Sequence, residues 1–330
     1  MIAWVSRWQV PVYLGAMLVG AAGGLLAPST SAISEALVTP ALIVLLFATF
    51  LAVPFATIRR ALRDVRFLAA VLVVNFLLVP ILVFGLSRFV AHDQALLVGV
   101  LLVLLTPCVD YVVVFTRLAG GEASRLLAAS PVLMLAQIAL LPVYLALFAG
   151  PDVLGMVDAG PFVAAFLLFI ALPMSLAAVT QAFARRFAPV RVVERTMDAA
   201  MVPLLALTLA VIVGAQIDTV RTYAAQLIGV VPIYVAFLCA APVLGILIAR
   251  VFRQDVATSR ATVFSGSTRN SLVVLPLALA LPEPLRLASA VVVTQTLVEL
   301  VGMVVLVRVV PRLIRPASAE FRPAPEGTDM

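Results

Sequence analysis

"TPCVDYVVVF", Thr106 to Phe115, sets a proline, a cysteine and an aspartate inside an apolar run. "ALLVGVLLVLL" (Ala95–Leu105) precedes it and "TRLAGGE" (Thr116–Glu122) follows. Together they are long enough to cross a bilayer, which takes about 20 apolar residues. A charged side chain at mid-bilayer costs roughly 2.5–3.5 kcal/mol. A span that keeps Pro107, Cys108 and Asp110 at its centre therefore has a use for them.

Composition gives the setting. The chain has 330 residues, 64% hydrophobic and 12% charged, with a mean hydropathy of +1.20. Soluble domains run near 45–50% apolar and about 25% charged. This is the composition of an all-α polytopic membrane protein. "MIAWVSRWQVPVYLGAM" enters an apolar segment with no short apolar core and small-residue cleavage site, so no cleavable signal is expected. Hydropathy over a window of about 19 residues predicts ten spans, near 10–27, 36–57, 67–87, 95–119, 124–149, 161–184, 198–216, 227–249, 261–281 and 286–310.

The net charge is +6, and every one of the 22 basic residues is an arginine. Counted loop by loop, 18 fall on one side of the ten spans and 3 (Arg88, Arg221, Arg286) on the other, with Arg269 left inside a span. The positive-inside rule then places both termini in the cytoplasm of a cell (plasma) membrane protein. The same bias makes membrane topology, not nucleic acid, the reading of the basic charge. Residues 1–314 read as the transmembrane domain. The tail 315–330, rich in proline and polar residues, reads as a disordered cytoplasmic segment.

Ten spans divide into repeat one, about 10–150, and repeat two, about 160–310. Each half has five spans, so the halves insert in opposite orientations. "LAQIALLPVYL" (Leu135–Leu145) in span 5 aligns with "LVELVGMVVLV" (Leu297–Val307) in span 10, which sets Gln137 opposite Glu299. The fourth span of each half is interrupted, at "TPCVDY" and at "SGSTRNS" (Ser265–Ser271). Paired interruptions in inverted halves point to a mid-membrane transport site. Pro107 lacks an N–H and its ring clashes with the Val103 carbonyl. Gly266, among short hydroxyls that compete for backbone hydrogen bonds, is the expected second break. Broken backbone is tolerated at this depth only against protein or a water-filled cavity, so broken helices 4 and 9 are expected to cross at mid-membrane.

Asp110, Arg269 and Glu299 are the ionisable residues of this region. Unpaired, they would cost about 8–10 kcal/mol, comparable to a whole domain's stability. Arg269 is expected to pair with Asp110 as a lock or gate. Desolvation disfavours the charged form of a carboxylate left without a cation, which makes Glu299 the candidate proton carrier. Cys108, beside the break, offers a soft thiolate ligand. Cys239, in "AFLCAAPVL", reads as core packing. Asn75, Gln137 and Gln295 either line the path or bond across helices. Neither cysteine sits in a metal-binding pattern, and no metal or cofactor is expected. His92, the one histidine, falls in a loop, and no catalytic triad or phosphate loop is present.

These residues carry a resemblance. "LTPCVDYVVVFTRLAGGE" (Leu105–Glu122) resembles the fourth-span motif of the arsenite efflux permeases: Pro-Cys, apolar residues, an aromatic, then Leu-Ala-x-Gly and an acid. "LVELV" (Leu297–Val301) resembles their glutamate-bearing tenth span, and "LAQ" (Leu135–Gln137) the glutamine of their fifth. That family lies in the superfamily of the bile acid:sodium symporters. The resemblance implies ten spans in two inverted repeats, with arsenite or antimonite exported in exchange for protons. It makes Cys108 the substrate-capturing thiol and Glu299 the proton carrier. Asn270 and Gln137 become substrate-lining residues.

The chain also departs from the pattern. The permeases have no acid where Asp110 stands. The sodium-coupled relatives place a glutamate and a glutamine at positions matching Ser265 and Arg269, where a fixed guanidinium would repel sodium. No sodium coupling through that site is expected. Two other readings remain open from the sequence: an organic-anion transporter using Arg269 at half-helix N-termini, and a membrane scaffold or sensor that transports nothing.

Overall fold

A computed structural model of the chain describes residues 2–26, 28–52, 63–109, 111–150 and 159–315. The tail from residue 316 and Asp110 lie outside the described residues. The helices are α1 (Ile2–Leu26), α2 (Pro28–Ala52), α3 (Val65–Val90), α4 (Gln94–Leu104), α5 (Tyr111–Leu118) and α6 (Ala123–Ala149). In the second half α7 runs through Ala159–Phe166, Leu167–Ala171 and Leu172–Ala184. It is followed by α8 (Ala188–Thr222), α9 (Ala224–Val251), α10 (Val256–Ser267), α11 (Ser271–Leu279) and α12 (Leu287–Leu313). No strand occurs among the described residues.

Six described stretches are long and apolar enough to cross a membrane: Val65–Val90, Ala123–Ala149, Val163–Ala184, Ala188–Asp218, Ala224–Val251 and Glu283–Leu313. Pro11–Leu26, Ala36–Ala52 and Gln94–Leu104 are shorter apolar helices. The expected spans 95–119 and 261–281 are each two short helices, α4 with α5 and α10 with α11. α8 starts ten residues before the expected 198. Its first turns carry exposed Arg191 and Arg195, and hydropathy registers the apolar part of a helix only.

Local chemistry sets several features. Asp93 caps α4, its Oδ1 accepting from the Ala95 and Leu96 N–H groups at 3.0 and 3.1 Å. Two π turns, Val74–Leu78 in α3 and Leu167–Ala171 in α7, each precede a proline by one residue, Pro80 and Pro173. The wider turn absorbs the clash a helical proline makes with the carbonyl four residues back. In α3 that carbonyl belongs to Phe76, and the Tyr144 hydroxyl of α6 donates to it at 2.6 Å.

The helices sort into two bundles. α1, α2, α7 and α8 pack together, and α3 to α6 pack with α9 to α12. α1 approaches α8 closely enough that a Cβ on Gly24 would lie 2.8 Å from the Gly214 carbonyl oxygen. The bundles meet chiefly through α11, which touches α2 and α7, and through α8 against α12. A gap of only about 10 Å³ remains at that seam, beside Met17, Leu209, Ser271, Val292 and Thr296. α5 has its close neighbours in its own bundle, α6, α10 and α12.

Candidate functional site

α4 ends at Leu104 and α5 begins at Tyr111. The Val103 carbonyl, deprived of a donor by Pro107, accepts from the Thr106 hydroxyl at 3.0 Å. α10 ends at Ser267, whose hydroxyl bonds back to Val263 O, as that of Thr268 does to Phe264 O, both at 2.7 Å. Asn270 then caps α11, its Oδ1 accepting from the Val273 N–H at 3.3 Å.

The two breaks pair with each other. Pro107 stands opposite Arg269 in an isolated antiparallel bridge. Cys108 N–H donates to Thr268 O at 3.1 Å, and Asn270 N–H donates to Thr106 O at 2.9 Å. Each interruption thus supplies partners to backbone groups that the other leaves without helical ones, which is what burial away from water requires.

Arg269 is wholly buried. Its guanidinium donates to Leu104 O (3.3 Å), Ser265 O (3.0 Å), Gly266 O (2.7 Å) and Asn75 Oδ1 (2.8 Å). The carbonyls are last-turn carbonyls of α4 and α10, the negative ends of two half-helices. The Phe237 ring covers the guanidinium, with Cζ 5.3 Å from its centroid. Asn75 sits in the α3 π turn and is fixed by donating to Val71 O (2.9 Å) and Ser265 Oγ (3.0 Å).

Glu299, on α12, is also buried. Its carboxylate accepts from the Arg269 main-chain N–H at 3.1 and 3.0 Å, from the Tyr111 hydroxyl at 2.8 Å and from Gln295 Nε2. One peptide unit therefore joins the two breaks to the carboxylate. Its carbonyl, on Thr268, is held by Cys108 N–H, and its N–H, on Arg269, is held by Glu299.

Of the residues expected from the sequence, Cys108, Arg269, Asn270 and Glu299 come together at this crossing. Cys108 is fully buried, and Asn270 Nδ2 is buried without a described partner. Gln137 lies on α6, two turns past Ser130, whose hydroxyl reaches Val109 O at 3.4 Å. Neither amide atom of Gln137 has a described partner. The expected pairing of Asp110 with Arg269 lies outside the described residues; the described hydrogen-bond acceptors of the guanidinium are neutral oxygens.

Two expectations are corrected. Gly266 does not break its span: it lies within α10, and the interruption comes at Thr268–Asn270. The glycine instead lets α3 approach, since a Cβ there would collide with Val74. Cys239 is exposed on α9 and not packed in the core. The sequence does not single out Tyr111. Its partner on α12 is 188 residues away, and its one sequence signal is a phenol at the start of the second half-helix. Among the described residues no group of three or more His, Cys, Asp or Glu gathers in a metal-binding arrangement.

A comparison with curated proteins returns no match. Residues 39–223, which contain the first break and Cys108, match the Sodium Bile acid symporter family. That stretch is more than half of the chain, and the chain belongs to this family of membrane transporters.

Proposed function

We propose that the protein is a ten-span secondary transporter that exports arsenite or antimonite in exchange for protons. The observation that carries this reading is the shared peptide unit, with a buried thiol-bearing residue at one end and a buried carboxyl at the other. Arsenite is small, neutral near pH 7 and thiophilic. The Cys108 sulfur can bond to arsenic while the thiol proton leaves with one hydroxyl as water. Nothing is oxidised, and water reverses the step. Glu299 takes up a proton in the return half of the cycle.

The inverted-repeat reading is supported by the bundles. The first and second spans of each half share one bundle, and the third to fifth spans of each half share the other. With both termini cytoplasmic, α11 lies in the outer half of the membrane. The seam closed by α11 and α12 is then external, and the close neighbours of α5, on the inner side, belong to its own bundle.

Arg269 supports export without sodium. It places a tethered cation among the carbonyls of two half-helix ends, where transporters of broken-helix design hold their coupling ion. It also weakens the organic-anion reading. Four acceptors already occupy the guanidinium, and Nε alone is without a described partner.

The test uses everted membrane vesicles, acid inside, with labelled arsenite. Wild type accumulates arsenite, equally with and without sodium. Cys108→Ala loses uptake, and Glu299→Gln loses its dependence on the pH gradient. Full proton-driven uptake in both variants would end this reading.

A further inference from the structure

The Tyr111 hydroxyl lies 2.8 Å from Glu299 Oε1 and 2.8 Å from the Arg269 carbonyl oxygen. Both are acceptors, and a phenol has one proton to give. We propose that Tyr111 is the positioning residue that couples the protonation of Glu299 to the crossing of the two breaks. The inference rests on the proton-exchange reading above.

Hydrogen bookkeeping defines two states. With Glu299 ionised, Tyr111 donates to the carboxylate and the Arg269 carbonyl goes without that donor. With Glu299 protonated at Oε1, the acid donates to the phenol oxygen and the phenol proton turns to the Arg269 carbonyl. No covalent bond other than the carboxyl O–H changes, and the proton comes from water. Each state satisfies the buried groups differently, and only the protonated one ties α5 to the backbone of the second break. A change at one carboxyl thus becomes a change in what holds the half-helices together.

The surroundings leave Tyr111 as the switching partner. Arg269 hydrogen-bonds Glu299 through its main-chain N–H, which cannot reverse direction, and its fixed guanidinium lies within electrostatic reach of Glu299, Cys108 and Tyr111 in either state. Tyr234 on α9 is committed to the Val291 carbonyl at 2.9 Å. Gln295 presents Nε2 to Glu299 and leaves Oε1 without a described partner, so it donates in this arrangement. Asp110 lies outside the described residues. The Tyr111 ring is braced edge-on by Phe115, with centroids 6.1 Å apart, so Tyr111→Phe removes the hydroxyl and keeps the packing.

The experiment compares two modes in everted vesicles. One is uptake of labelled arsenite driven by a pH gradient. The other is exchange of labelled for unlabelled arsenite with no gradient, in which Glu299 need not change protonation. Tyr111→Phe lowers driven uptake roughly tenfold, the scale of one buried charged hydrogen bond, and leaves exchange within about twofold. In a Glu299→Gln background the same substitution changes exchange no further. A structural role would lower both modes together, as expected for the control Phe115→Ala. Loss of both modes in folded Tyr111→Phe, or of neither, overturns the proposal; the second outcome would pass the role to Gln295. If Tyr111→Phe does not fold, infrared difference spectra of wild type with ring-labelled tyrosine between acid and alkaline buffer decide. The carboxylic C=O band and a tyrosine C–O band change together, and a silent tyrosine band overturns the proposal. Wild type without gradient-driven uptake fails the transport reading instead, whatever the spectra show.

Discussion

The two breaks that pair with each other are made by different chemistry. The first rests on one proline, and the carbonyl it strips of a donor is repaired from inside the break by Thr106. The second contains no proline. Its hydroxyls bond back into α10 and prolong the helix to Ser267, and the loose ends are held by contacts of Arg269 with Leu104, Asn75 and Glu299, distant in sequence. A break written in backbone chemistry is local and cheap. A break written in side chains depends on everything packed around it. The two therefore respond differently to substitution.

The largest effect falls on the second break. Arg269→Ala removes the donor to three carbonyls and to Asn75 Oδ1 in the buried interior. An unsatisfied buried acceptor costs about 1–3 kcal/mol, so a loss of about 3 kcal/mol or more is expected. It should appear in thermal denaturation in detergent as a much lower midpoint or as no folded peak. Arg269→Gln sharpens the comparison. It empties an all-oxygen cage at two negative helix ends, which a monovalent cation can enter. Sodium should raise the midpoint of this variant and leave wild type unmoved. A sodium-insensitive Arg269→Gln protein that folds well would mean that the carbonyls have other donors.

Pro107→Ala comes next and has the opposite profile. The restored N–H can bond the Val103 carbonyl again, and alanine favours helix. α4 can then extend and draw the Cys108 N–H off Thr268 O. Stability should change by less than about 1 kcal/mol, while arsenite uptake falls about tenfold or more because the thiol is displaced from the crossing. Equal losses in stability and uptake would show that the first break is as dependent on its surroundings as the second.

This contrast also explains what the sequence disclosed. Pro107 marked its break because proline acts on its own neighbours. Gly266 pointed two residues early, because serine and threonine beside it can cap a helix by bonding back as readily as they can end it. Arg269, Glu299 and Cys108 were legible as residues too costly or too reactive to sit in lipid without a role. Their arrangement was not, since it depends on α3, α9 and α12 closing over the crossing. For Asn75 the sequence leaves two readings open, and its hydrogen bond with Arg269 separates them. The sequence does not reveal that Cys239 is exposed, because lipid is as apolar as a protein core and hydropathy does not tell a packed face from a lipid-facing one.

The smallest effect lies where α10 enters, far from the crossing. Asp255 caps that helix, its Oδ1 accepting from the Thr258 N–H at 2.9 Å and its Oδ2 from the Thr258 hydroxyl at 2.6 Å. These bonds, side-chain first, and the nearby Arg125 hold the carboxyl below the ordinary aspartate range. A depressed carboxyl stabilises the fold above its unfolded value, near 3.9, and loses that contribution as pH falls through the lower folded value. Asp255 is exposed, so solvent screening keeps the effect small. Asp255→Ala should cost about 0.5–1 kcal/mol at neutral pH, and the gap to wild type should close below about pH 4. Asp255→Asn retains an acceptor oxygen and should recover most of the loss. Because this cap is local, like the first break, its loss should not alter the sodium response of Arg269→Gln. A double variant that lost the response would show that the start of α10 and its broken end are held as one unit.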